Sequence, residues 1–190
     1  MKTILLISGK ETSEFARGGY NQGLFDTAKE TLGQNYHILS TVIEDGYDVE
    51  EEIAKYKQAD IVIYQYPVYW FMMPSSLKKY MDEVFAYDSF FTFSDGPYGS
   101  GGLMTGKKFM LSTTWNAPET VFNNPEHFDN GQSVDDILFP MRTSHFFCGF
   151  EELTHFSSHD IVSNPDFERD QKRFIAHLQD TLLKEAQHAA

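Results

Sequence analysis

The sequence predicts an α/β fold, a parallel five-stranded sheet with helices on both faces. Three observations predict it. Short apolar, β-rich runs recur along the 190-residue chain, and each is too short for a membrane span. Segments with helical spacing alternate with them, the pattern of βαβ units. No internal repeat or linker interrupts the alternation, so residues 1–190 read as one domain with a sizeable core.

Thr3 to Ile7 is the first strand, ended by Ser8 and Gly9. The loop from Lys10 to Tyr20 leads into a helix over Asn21 to Leu32, with Leu24, Phe25, Ala28 and Leu32 on one face. His37 to Val42 is the second strand. A helix over Val49 to Gln58 follows, with Glu50, Glu51 and Glu52 in its first turn, where the dipole favours them. Ile61, Val62, Ile63 and Tyr64 form a third strand, buried on both faces; Pro67 ends it because proline has no N–H to give. Tyr69, Trp70 and Phe71 come next, Pro74 closes the loop, and a helix covers Leu77 to Phe85. The Tyr87–Thr105 segment, rich in glycine and aromatics, is long enough to suggest function or an interface. Phe109 to Thr113 is the fourth strand, and it empties into Thr114-Trp115-Asn116-Ala117-Pro118. Val134 to Phe147 is helical, interrupted or bent by Pro140, Leu153 to Ser157 is a last short strand, and Pro165 to Ala186 is the terminal helix.

Five strands alternating with five helices suit a flavodoxin-like three-layer sandwich, strand order 2-1-3-4-5. That order sets the loops after strands one, three and four side by side at the carboxyl ends, where open α/β sheets hold ligands. The first loop, Arg17-Gly18-Gly19-Tyr20-Asn21, is a plausible anion site: helix N-terminal N–H groups face a phosphate and Arg17 adds a bidentate contact. The other two loops are aromatic and polar, suited to a flat ring. With a flavin there, Val68 to Phe71 line one edge and face of the isoalloxazine. Thr114 to Ala117 offer N–H groups and polar side chains to its polar edge, where negative charge gathers on reduction.

Two longer stretches then carry a specific resemblance. Gln65 to Phe85, reading QYPVYWFMMPSSLKKYMDEVF, resembles the core motif of the flavodoxin-like quinone reductases of the DT-diaphorase group. Tyr98 to Pro118, YGSGGLMTGKKFMLSTTWNAP, resembles more narrowly the bacterial modulator of drug activity B family. The resemblance implies a homodimeric, FAD-dependent NAD(P)H:quinone oxidoreductase. Hydride passes from NADPH or NADH to the flavin and two electrons then pass to a quinone, in a ping-pong cycle. It also implies a cofactor site: Arg17, Gly18, Gly19, Tyr20, Asn21, Gln22, Gly23, Leu24 and Phe25 for the diphosphate; Pro67, Val68, Tyr69, Trp70 and Phe71 with Thr114, Trp115, Asn116 and Ala117 for the ring; and Tyr98 from the long loop. An FMN azoreductase or nitroreductase and a flavodoxin-like electron carrier are the alternatives on the same fold.

Composition narrows the rest. Asp and Glu number 28 against 15 Lys and Arg, a net −13, which argues against nucleic acid and anionic membranes as partners. The lone Cys148 permits no intrachain disulfide, as expected of a cytoplasmic protein. The seven histidines have no metal-ligand spacing and no metal is assigned. His127, His145 and His159 are candidates for relaying a proton to a quinone, with a surface or structural role the commoner fate of each.

Overall fold

A computed structural model describes residues 1–14 and 16–183. Its elements are β1 (Thr3–Ser8), α1 (Gly19–Leu32), β2 (His37–Val42), α2 (Val49–Gln58), β3 (Ile61–Pro67), α3 (Ser75–Val84), β4 (Lys108–Thr114), α4 (Val134–Ile137), α5 (Phe139–Phe147), β5 (Glu151–Glu152), β6 (Phe156–Ser158) and α6 (Phe167–Leu178). The strands run in the order β2-β1-β3-β4-β5, with β6 also paired to β4, and every pairing is parallel. This is the flavodoxin-like order. β1, β3 and nearly all of β4 are buried on both faces, which is why they read as unbroken apolar runs.

Helices cover the two faces of the sheet and enclose two cores. One core joins α2, α3 and α5 to the sheet through Tyr56, Val62, Tyr64, Leu77, Tyr80 and Phe109. The other joins α1 and α6 through Leu24, Phe25, Ile63, Met110, Phe174 and Leu178. Gly23 allows that second pair to meet closely: a Cβ there would lie 2.5 Å from the Phe167 ring.

Two expectations need correction. The last strand is not continuous over Leu153 to Ser157 but splits into β5 and β6. Between them the His155 Nδ1 accepts the Leu111 N–H (3.2 Å), so a side chain replaces a ladder carbonyl. The helix over Val134 to Phe147 breaks at Leu138, not at Pro140. Pro140 sits in the first turn of α5, where its missing N–H has no helical partner to lose. The end of the terminal helix, residues 184–186, lies outside the described residues. Among the described residues no helix is long and apolar enough to cross a membrane.

A second polar system lies inside the first core. The His145 Nδ1 faces the Met141 carbonyl (2.8 Å), which fixes the proton there. The Nε2 therefore accepts from the Tyr64 hydroxyl (2.9 Å), and Tyr64 in turn accepts from Tyr56 (2.5 Å). Burial, opposed only in part by the Met141 carbonyl, holds His145 down to about 4. Nearby, the buried Glu52 carboxylate accepts from Tyr80 (2.6 Å), Thr41 (2.8 Å) and Lys55 (2.6 Å). These groups are paired with one another inside the core.

Candidate functional site

The loops after β1, β3 and β4 meet at the carboxyl ends of adjacent strands. At the first, Gly18 caps α1 in the left-handed conformation (φ 68°) and supplies no side-chain cap; no acidic residue stands in the first turn. The helix N–H groups there keep their attraction for an anion. A Cβ on Gly19 would meet nothing within 4 Å, so the approach is open. Arg17 is exposed beside it, and Lys10 pairs with Glu44. Below the loop the Ser8 hydroxyl is buried and, among the described residues, has no hydrogen-bond partner. An uncapped helix start over an orphaned hydroxyl fits a phosphate-bearing ligand.

The helix start is tied to the sheet by a buried chain. The Ser112 hydroxyl donates to Gln65 Oε1 (2.6 Å), Gln65 Nε2 donates to Asn21 Oδ1 (2.8 Å), and Asn21 Nδ2 donates to Thr114 Oγ1 (2.9 Å). Asn21 thus sets the height of α1 against β3 and β4 from below. Four polar residues satisfy one another in the core, where leaving one unpaired costs about 1–3 kcal/mol.

The second loop is a tight reversal. Tyr69 and Met72 exchange backbone hydrogen bonds of 2.9 and 3.0 Å across Trp70 and Phe71. Both central residues have positive φ, 50° and 63°, the type I′ geometry that usually takes Asn-Gly. Bulky side chains in that region store strain of order 1–3 kcal/mol each, and such strain gathers at binding sites. The turn throws Trp70 out to 88% exposure, with Phe71 and Met72 also exposed.

The third loop behaves differently. The Trp115 N–H donates to the Ser158 carbonyl (2.8 Å) and its indole N–H to Thr113 Oγ1 (2.8 Å). Its ring packs edge-on against Phe122, and the residue is only 2% exposed. Asn116 is exposed and Ala117 half-buried.

Two cavities flank the turns. One, of about 480 Å³, is chiefly apolar; Tyr66, Trp70, Phe71, Met73, Leu138 and Met141 are among its walls. The other, of about 410 Å³, is polar, lined by Pro118, Glu119, His159, Asp160, Arg169 and Arg173. Its two arginines are braced on the fully buried Asp170, which accepts from Arg169 Nε (3.1 Å), Arg173 (3.0 Å) and the Tyr20 hydroxyl (2.6 Å). Burial alone would raise the Asp170 pKa; the hydrogen bonds from Tyr20 and the arginines outweigh it and hold the group below its ordinary value.

Of the residues expected at the site, Arg17, Gly18, Gly19, Pro67, Val68, Tyr69, Trp70, Phe71, Thr114, Asn116 and Ala117 stand at the three loops. Others point elsewhere. Leu24 and Phe25 are buried in the core beneath α1, Gln22 bonds Asp26, Gly23 faces Phe167, and Tyr20 is turned to Asp170. Trp115 is core rather than wall. Tyr98 stands at the opposite pole, beyond α3 and before β4, with its ring 5.6 Å from Phe147. His145 is locked in the core, His127 is exposed, and His159 lines the polar cavity. Among the described residues no three His, Cys, Asp or Glu side chains cluster as metal ligands do. Sequence reasoning missed Gln65, Tyr66, Arg169 and Arg173. The period-2 spacing of Tyr64 and Tyr66 on one strand was the available signal for Tyr66.

The sheet order and the three-loop crest define a flavodoxin-like α/β protein, and comparison with known proteins agrees. The Flavodoxin_2 profile, described as a flavodoxin-like fold, matches residues 1–182, and the chain belongs to that family. NADPH:quinone oxidoreductase MdaB of Haemophilus influenzae is 38% identical over 186 residues, covering 93% of this chain and 97% of that protein. An uncharacterised Schizosaccharomyces pombe protein is 36% identical over 188 residues, covering 93% and 95%. The human ribosyldihydronicotinamide dehydrogenase [quinone] is 36% identical over 108 residues, only 44% of its length. Among solved structures, a putative quinone reductase from Klebsiella pneumoniae superposes with a TM-score of 0.79 at 24% identity, over 96% of this chain and 85% of that one. The general stress protein 14 of Treponema denticola, in complex with FMN, superposes at 0.73 and 20%, over 95% and 99%. At those identities the structures speak for the fold.

Proposed function

We propose that this protein is a flavin-dependent NAD(P)H:quinone oxidoreductase, folded as one domain over residues 1–190, which binds FAD and works as a cytoplasmic homodimer. The observation that carries the reading is the strained Tyr69–Met72 turn at the end of β3 together with the uncapped start of α1 after the neighbouring β1. One element offers flat exposed aromatic surface, the other an anion-binding helix end, and both stand at the carboxyl ends of neighbouring central strands. The near-full-length similarity to the Haemophilus quinone oxidoreductase supports the same chemistry.

Bound flavin supplies acceptance of a hydride from a nicotinamide and delivery of two electrons to an acceptor. The chain's own residues hold and shield. Gly18, Gly19 and Arg17 would take the phosphates, and Val68 to Phe71 the ring face. The N–H groups of Asn116 and Ala117 would meet the ring's polar edge, where fixed donors favour added negative charge. The polar cavity lined by Arg169 and Arg173 lies beyond the third loop, and at about 410 Å³ it has room for a nucleoside, with guanidinium N–H groups on its wall. That cavity favours FAD. The FMN complex of the Treponema neighbour keeps the shorter cofactor in view. A second copy would cover the exposed Trp70, Met72, Phe128 and Phe139. It would also bring in Tyr98, whose position in its own chain is remote from the cradle.

The mass of the cofactor released from purified protein decides between FAD and FMN. An anaerobic NADPH titration decides the chemistry: full bleaching without a stable semiquinone supports two-electron transfer. A flavin that NADPH leaves oxidised would overturn the oxidoreductase reading. A monomer that keeps its flavin on dilution would overturn the dimer.

A further inference from the structure

Tyr66 lies two residues past Tyr64 on β3 and on the same face of the sheet. Both tyrosines are fully buried, yet only one is satisfied. The Tyr64 hydroxyl has two partners, Tyr56 and His145. The Tyr66 hydroxyl is buried and, among the described residues, has no hydrogen-bond partner. Buried polar groups are nearly always paired, and Tyr66 is among the residues lining the apolar cavity, so its orphan hydroxyl points to a ligand there that completes it.

The cavity restricts what that ligand can be. Its volume of about 480 Å³ lies within the range of small-molecule sites. Trp70, Phe71, Met72, Met73 and Met141 give flat and polarisable surface, suited to an uncharged ring. The charges at its rim are already engaged: Lys78 pairs with Asp82, and Glu11 accepts from Ser75 (3.1 Å) and from the Ser76 N–H (2.8 Å). Among the described residues of that lining Lys78 is the cation, and it is paired with Asp82. Burial raises the Tyr66 pKa, so the hydroxyl stays protonated and acts as a donor.

We propose that Tyr66 is a specificity-determining residue, donating a hydrogen bond to one carbonyl oxygen of a quinone whose ring lies in the apolar cavity beside the Tyr69–Met72 turn. The proposal rests on the oxidoreductase reading above for the identity of the acceptor. Tyr66 gives a hydrogen bond and keeps its proton. Its contribution is orientation and selection: carbonyl-bearing rings are held, and acceptors without a carbonyl gain nothing from it.

The test is Tyr66→Phe in the flavin-loaded protein, which keeps the ring and removes only the orphan hydroxyl. The probe is 2-methyl-1,4-naphthoquinone, followed by its KM and, with oxidised enzyme, by quenching of tryptophan fluorescence. The variant should show KM and Kd for the naphthoquinone raised about tenfold. Flavin content, the rate of flavin reduction by NADPH and turnover with ferricyanide, which has no carbonyl, should be unchanged. A merely structural hydroxyl would move the melting temperature and leave the naphthoquinone-to-ferricyanide ratio alone. Equal naphthoquinone Kd in the two proteins, or no binding to either, overturns the proposal. Binding that depends on Tyr66 in a wild type that does not turn over would uphold the site and sink the oxidoreductase reading instead.

Discussion

Trp70 and Trp115 each follow a buried parallel strand and each stand near a proline, yet the fold places one in solvent and the other in the core. The difference lies in what the backbone does next. After β3 the chain reverses at once, and the type I′ turn directs Trp70 outward. After β4 the chain stays in register with the edge: the Trp115 N–H reaches Ser158 and its indole is held by Thr113. An aromatic at a strand end is therefore left free for a ligand only when the ladder stops before it. At β4 the ladder runs one residue further than the apolar run suggests, and Trp115 is drawn in with it.

Substitutions at the two positions test that contrast. Trp115→Ala should cost stability on the order of 3–5 kcal/mol, read by urea unfolding, because it empties a buried site and frees a hydroxyl. Unchanged stability with loss of flavin would reverse the assignment of the two tryptophans. Acid titration reads the buried histidines: burial lowers the pKa of His145, and also those of His155, His159 and His177. His145 is neutral in the fold with its pKa lowered to about 4, from 6.5 unfolded. Between those values the unfolded state binds the extra proton. This contribution is therefore complete above pH 6.5 and is lost as pH falls towards 4, with a slope of at most about 1.4 kcal/mol per pH unit. His145→Gln should flatten that slope, while Trp70→Ala and Trp115→Ala should retain it, as urea midpoints across pH 4–7 would show. Trp70→Ala should weaken flavin retention by roughly 1–3 kcal/mol, if stacking compares with that on nucleobases, with little change in stability. Equilibrium dialysis of the flavin measures it, and undiminished retention would remove Trp70 from the site. The smallest effect is Trp70→Gly, which relieves the positive φ. It should stabilise the protein by about 1 kcal/mol, or 2–4 °C in Tm, while binding flavin no better than the alanine variant.

The parts of the fold that the sequence revealed are those governed by period and burial. β1, β3 and β4 are apolar because both faces are covered, and α1 and α6 show their buried stripes. β5 and β6 look like one strand in the sequence because the interruption depends on a side chain: His155 replaces a carbonyl, and no local pattern announces it. A proline in a helical run usually interrupts or bends it; here α5 begins at Phe139, and Pro140 falls in its first turn. At the site, the three loops were legible from turn residues at strand ends. The roles of Gln65, Tyr66, Arg169 and Arg173 were not. Each depends on which neighbour a side chain meets across the sheet or from α6, and that is fixed by tertiary packing rather than by local sequence.

The His155 contact has a consequence for how these molecules behave in a crowd. An outermost strand with regularly spaced N–H and C=O groups is a template on which another chain can lengthen the sheet. Here that border is cut into pieces of two and three residues, and an imidazole occupies the gap. A foreign strand would find no continuous row to copy. The irregularity that obscures the last strand in the sequence also leaves that side without a continuous ladder to extend.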